Sequence, residues 1–230
     1  VPLELIERIE VSRGPNSAAY GINAFLGTIN IITRAPEDTA GVETRAITGS
    51  RGYKRVFGSA GNVSGDYNWR LAYEKRKSDG FDEQVDDDIY YPFHDGYDIN
   101  TFNYDSSLFL NSQYSLDLRG SFQNYDRRQR WSICIPGDTF NNILQGNSFD
   151  LEPCTANEVD PFRANLNEDI EESRLEFEIQ DTLLFNRDLK LVSGLGYRKD
   201  TYRSETYFNG RGNNYQSQVF ANLEYSPLRW

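Results

Sequence analysis

The sequence predicts a mostly β fold: about eight strands of a larger antiparallel transmembrane barrel, preceded by a short α+β remnant of different texture. Three observations carry this reading. Side chains alternate between apolar and polar along one segment after another, the links between those segments sort into short and long, and the composition is polar yet rich in aromatic rings.

The chain has 230 residues and a mean hydropathy of -0.68. No stretch approaches the roughly 18 to 20 apolar residues of a membrane helix, which excludes a helical membrane protein. A membrane β-barrel stays open, because each strand turns every second residue toward a polar lumen and hides its hydropathy from averaging. The 15 Tyr and 14 Phe suit the aromatic girdles of such barrels. They suit a Tyr-rich soluble β-protein equally. A net charge of -11 argues against a nucleic-acid partner, which needs cationic surface for phosphates. The chain starts at Val1, has no Met and shows no charged-then-apolar leader, so a mature or excised segment is expected.

Two textures divide the chain, 1–38 and 39–230. The first is compact, with β-branched runs at Ile6 to Val11 and Thr28 to Thr33 separated by Arg13-Gly14-Pro15, Tyr20-Gly21 and Gly27. These turn and close-approach residues give strand, irregular link, strand. Pro36, in Arg34 to Asp38, then discourages further strand.

The second texture has period two. Leu116, Leu118, Gly120 and Phe122 share one face, and Asp117, Arg119, Ser121 and Gln123 the other. Tyr67, Trp69, Leu71 and Tyr73 oppose Asn68, Arg70 and Glu74. Leu175, Phe177, Ile179 and Leu183 oppose Arg174, Glu176, Glu178 and Gln180. Leu191, Leu195 and Tyr197, then Val219, Ala221, Leu223 and Tyr225, repeat the theme. Strands are expected at about 42–49, 53–61, 67–77, 98–110, 115–126, 171–185, 189–204 and 214–225. Alternate links are short: Asn62 to Asp66, Asn111 to Gln113 and Asn186 to Asp188. Of the others, Ser50 to Gly52 is short, while 78–97, 127–170 and 205–213 are longer. Short turns at one end and long loops at the other describe an outer-membrane barrel. A soluble sandwich has no reason to sort its links this way.

The segment Ile6 to Arg34, IERIEVSRGPNSAAYGINAFLGTINIITR, closely resembles the end of the plug domain of TonB-dependent outer-membrane receptors. The elements of the likeness are Ile6 to Val11, Arg13-Gly14-Pro15, Ser17 to Ala19, Tyr20-Gly21, and Gly27 with Asn30 inside Ile29 to Thr33. It covers about 30 residues without a gap and makes those residues plug-building rather than ligand-touching. It implies residues 1–38 as the plug's C-terminal end and 39–230 as the N-terminal part of the barrel. It further implies a barrel of 22 strands, a TonB box that is not identifiable in this chain, and an outer-membrane location. By resemblance the parent imports a scarce bulky solute of the ferric siderophore, haem or cobalamin class, with TonB acting on the plug. A fragment is therefore expected, one that is not transport-competent alone.

Candidate sites cluster in the long loops. Asp82, Glu83, Asp86, Asp87, Asp88 and Asp95 offer hard oxygen ligands for Ca²⁺, with Asp86, Asp87 and Asp88 as the core; their spacing fits no EF-hand, and a solvated acidic loop explains them as well. Tyr90, Tyr91, Phe93, His94 and Tyr97 line either a solute mouth or an aromatic collar at the membrane boundary. Arg127, Arg128 and Arg130 with Trp131 bind an anionic ligand or lipopolysaccharide phosphate, or neutralise nearby carboxylates. Cys134 and Cys154 are the two cysteines; a disulfide between them would clasp an outer loop and contribute about 3 kcal/mol in the chain-entropy model. No G-x-S-x-G, P-loop or HExxH is present, so no enzyme and no resident cofactor are expected. Rival readings are a passive porin-like barrel, which would lack the plug segment, and a soluble Tyr-rich carbohydrate-binding β-protein. The last would bury Leu116, Leu118, Phe122, Leu175, Phe177 and Ile179, which a barrel turns toward lipid.

Overall fold

The computed structural model describes residues 1–14, 26–81, 83–86, 89–135, 162–167, 169–208 and 210–226, with backbone alone at 83–86, 89–94, 130–135, 162–167 and 208. After a 3₁₀ turn at Leu3–Leu5, β1 (Ile6–Arg13) and β2 (Gly27–Thr33) form an antiparallel pair. A second 3₁₀ turn, Pro36–Thr39, has Pro36 at its start, where a missing N–H costs nothing. Next come β3 (Gly41–Thr48), β4 (Lys54–Ser64), β5 (Tyr67–Ser78), β6 (Glu83–Asp86), β7 (Ile89–His94), β8 (Tyr97–Asn111) and β9 (Tyr114–Arg127). The chain continues with β10 (Arg130–Ile135), β11 (Phe162–Asn167), β12 (Ile170–Leu184), β13 (Leu189–Ser204) and β14 (Gly210–Tyr225).

Eight of these strands make one antiparallel sheet in the order β3-β4-β5-β8-β9-β12-β13-β14. They are the eight segments expected from alternation, each neighbouring the next. The links at one end are tight. Gly65, with φ of 59°, turns β4 into β5. Asn111 Oδ1 accepts from the Gln113 N–H at 2.8 Å, and Asn186 Oδ1 accepts from the Asp188 N–H at 2.8 Å. At the other end, Arg51 and Gly52 both have positive φ, 54° and 64°. Two such residues in succession give the hairpin turn whose twist suits flanking strands.

The two longest links are not simple loops. They carry β6, β7, β10 and β11, which form a separate four-stranded sheet in the order β11-β10-β7-β6. The link 205–213, also read as loop, holds a short helical turn at Glu205–Phe208, and β14 begins at Gly210 rather than near 214.

Residues directly opposite in an antiparallel ladder share a face, so register assigns the two surfaces. One surface carries rows such as Trp69, Ser106, Leu118, Ile179, Leu195 and Val219. Another row is Tyr73, Phe102, Phe122, Leu175, Lys199 and Tyr215. These side chains lie bare: Val219 is 80% exposed, Leu195 56% and Phe177 47%. Five such rows, two residues apart along tilted strands, make a band of the height that hydrocarbon requires, roughly 25 Å. Among the described residues no second sheet or helix covers the band, which removes the soluble sandwich.

The opposite surface is polar and curves around the N-terminal segment. The only cluster of buried apolar residues among those described is Leu5, Phe57 and Ala72, each 2% exposed or less. It sits where the Leu3–Leu5 turn meets β4 and β5. The molecule keeps its small dry core between insert and wall.

Candidate functional site

Period two places Arg55 and Glu74 on the inner surface of β4 and β5, and the Leu3–Leu5 turn delivers Glu4 against them. Arg55 Nη1 donates to Glu4 Oε1 at 2.8 Å, and Arg55 Nε donates to Glu74 Oε2 at 2.6 Å. The Arg55 side chain is 6% exposed, and the two carboxylates 4% and 3%. Arg45 approaches Glu4 from the rim at 3.3 Å. The hydrogen bond from Arg55 holds the Glu4 carboxyl below its ordinary pKa, against the opposing effect of burial.

One strand further on, Arg70 is fully buried. It donates to the Arg34 carbonyl at 2.9 Å and to Thr39 Oγ1 at 3.1 Å, and pairs with Asp105 at 2.7 Å. Two guanidiniums rooted in the wall thus hold the insert at three places. Arginine suits this task because its planar fork serves several acceptors at once.

The inner row continues as Arg70, Asp105, Arg119 and Glu178, alternating in sign across four strands. Arg119 pairs with Glu178 at 3.0 Å. Beyond it, Asp200 receives both Arg174 at 2.7 Å and Arg198 at 2.8 Å. A cavity of about 750 Å³ lies between this wall and the insert, lined by Asn30, Ile31 and Thr33 on one side and by Arg119, Arg174 and Gln216 on the other. Its chemistry is mixed charge and amide, suited to a wet, hydrogen-bonding interior.

The residues singled out from sequence fall in three places. Arg13 is exposed at the end of β1; Gly14 has φ of 99°, and Gly27 packs so closely that a Cβ would lie 2.8 Å from the Ser12 carbonyl oxygen. Asn30 pairs with Glu10 across the hairpin. Pro15, Tyr20 and Gly21 lie outside the described residues. In the long links, Tyr97 and Arg128 border one cleft of about 240 Å³ with Lys77 and Asp98. The Arg128 N–H donates to the Gly96 carbonyl at 2.8 Å. The β7–β10 ladder sets His94 opposite Arg130 and Phe93 opposite Trp131, so backbone pairing joins two loops that are 36 residues apart in sequence at those positions. The side chains of Tyr90, Tyr91, Phe93, His94, Arg130, Trp131 and Cys134 lie outside the described residues. So do Asp87, Asp88 and Cys154; Asp86 ends β6, described by backbone alone. The clamp formed by Glu4, Arg55, Glu74, Arg70 and Asp105 was not foreseen as a site. Its signal was present in the inward alternation of Arg70 and Glu74, but nothing in the pattern showed what would face them.

No family model matches this chain. Over 128 residues it is 30% identical to the vitamin B12 transporter BtuB of Photobacterium profundum, covering 54% of this chain and 20% of that protein. Over 89 residues it is 34% identical to the vitamin B12 transporter BtuB of Vibrio vulnificus, covering 36% of this chain and 14% of that protein. The plug-like segment, the sheet with one bare apolar surface and these relatives agree. The chain is a segment of a TonB-dependent receptor. The receptor segment spans about a fifth of the length of the first of these relatives. Its fold is that of a partial outer-membrane β-barrel. Solved structures similar to the receptor segment include the ferric-catecholate import receptor Fiu from E. coli K12, at 14% identity and a TM-score of 0.48, covering 86% of this chain and 40% of that one. The siderophore receptor PirA from Pseudomonas aeruginosa follows, at 19% identity and a TM-score of 0.45, covering 99% of this chain and 42% of that one.

Proposed function

We propose that the protein containing this segment imports a scarce, bulky solute of the ferric siderophore, haem or cobalamin class across the outer membrane, with TonB moving a plug to which residues 1–38 belong. The observation that carries this reading is the N-terminal segment held against the polar concave surface by Arg55 and Arg70. A passive porin has no reason to lodge such an insert in its lumen. The exposed Phe122, Leu175 and Phe177 speak against a soluble sugar-binding protein, which would bury them.

The long-loop end is where solute is captured in this reading, with Tyr97 and Arg128 beside the strands that carry Tyr90, Tyr91, Phe93, His94, Arg130 and Trp131. Aromatic rings there supply large contact area at little entropic cost. Growth of a deletion strain on a panel of ferric siderophores, haem and cobalamin tests the proposal. Loss of growth on one source supports it, and undiminished use of every source ends it.

A further inference from the structure

At the long-loop end of β4 and β5, two like-charged pairs face each other across the same ladder, one on each surface. Arg55 lies opposite Arg76 on the concave side, and Lys54 lies opposite Lys77 on the convex side. Like charges directly opposite in a sheet destabilise it. The concave pair is neutralised: Glu4 and Glu74 meet Arg55, and Glu74 also meets Arg76 at 2.9 Å. The convex pair is not. Lys54 and Lys77 are exposed, and among the described residues neither has a carboxylate within salt-bridge distance. Asp98, across the ladder from Lys77, is instead engaged by Lys75 at 3.4 Å and by Asn100 at 3.3 Å.

Position adds meaning to this unmatched charge. Lys54, Lys75 and Lys77 share the convex surface with Val56 and Tyr73, immediately above the bare apolar band. In a chain of net charge -11, three neighbouring cations there run against the overall bias. On the reading of this chain as an outer-membrane barrel, that height is the headgroup level of the outer leaflet, and the surface faces lipid rather than lumen.

We propose that Lys54 and Lys77, with Lys75 beside them, form a docking surface for the phosphate groups of an outer-leaflet phosphorylated glycolipid, whose acyl chains lie along Val56 and Tyr73. The ammonium groups supply point charges for phosphate, and the apolar band supplies the surface for the chains. The lipid's anions replace the carboxylates that neutralise the matching pair inside.

The test uses the full-length receptor in detergent, with bis-phosphorylated lipid A and its dephosphorylated form as probes and native mass spectrometry as the readout. The wild type is expected to retain the bis-phosphorylated probe preferentially. The double variant Lys54→Gln, Lys77→Gln should bind it about tenfold or more weakly, at roughly fivefold per lysine. Lys54→Arg, Lys77→Arg should restore binding. Equal retention by wild type and the Gln variant overturns the proposal. Displacement of the lipid probe by millimolar inorganic phosphate also overturns it, since the site would then take a free anion. Heat-modifiable gel migration, followed for every variant, reports barrel folding separately. If the wild type itself lacks that behaviour, the barrel reading fails and not merely the lipid site.

Discussion

Strands β5 and β14 share the same alternating grammar, yet their fates differ. Along β5, Asn68, Arg70, Ala72 and Glu74 are buried one after another, while their outward neighbours are exposed or half-buried. Along β14 nearly every residue is exposed on both surfaces, Val219, Leu223 and Tyr225 among them. Alternation therefore decides which way a side chain points, and the insert decides whether an inward one is buried. The N-terminal segment reaches β4, β5 and β8 and leaves the inner surface of β14 open.

The sharpest way to break that contrast is to cut one arginine on each side. Arg55→Ala leaves Glu4 and Glu74 buried without their cation and should cost about 3–5 kcal/mol. It would be read as a lower unfolding temperature of the detergent-folded full-length receptor. Arg198→Ala, where the side chain is 35% exposed, should cost about 1 kcal/mol or less. Equal losses would erase the distinction between covered and open wall.

The two surfaces can be opposed in the same way. Ile179→Arg puts a charge in the middle of the bare band and should cost roughly 2–4 kcal/mol in bilayer folding titrations, whereas Gln180→Arg, one residue on and facing inward, should change little. A smaller effect separates two glycines. A Cβ at Gly194 would lie 2.6 Å from the Ile179 carbonyl oxygen and 2.5 Å from the Phe220 ring; at Gly120 the nearest atom is 4.0 Å away. Gly194→Ala should lose about 1–3 kcal/mol in the same titration, and Gly120→Ala almost nothing.

The gentlest probe is pH. Because the Glu4 pKa is lowered in the folded protein, its contribution is fully present above the ordinary value of 4.5 and is lost as pH falls through the lowered one. Glu4→Gln should flatten the acid limb of the unfolding-temperature profile. An unchanged acid limb would mean that Glu4 does not report on the clamp.

The eight sheet strands were legible because alternation runs for ten or more residues in most of them, as from Leu116 to Gln123. The strands in the long links were not. Each of β6, β7, β10 and β11 is four to six residues long, and β7 contains Pro92, which argues against a strand unless it lies at an edge. The start of β14 was missed for a related reason: Gly210, Gly212, Asn213 and Asn214 offer no apolar beat. The clamp was half legible. Arg70 and Glu74 announce an inward polar row, but Glu4 is about 50 and 70 residues from Arg55 and Glu74, and no local pattern records such a meeting.

Strands β3 and β14 border the sheet and do not pair with one another among the described residues. Each border presents a row of backbone donors and acceptors, and on β14 that row is 16 residues long. A polypeptide bearing such a border in water is a template onto which another extended chain can zip. Expressed by itself, this segment would be expected to self-associate edge to edge, and any preparation of it must first provide that border with a partner.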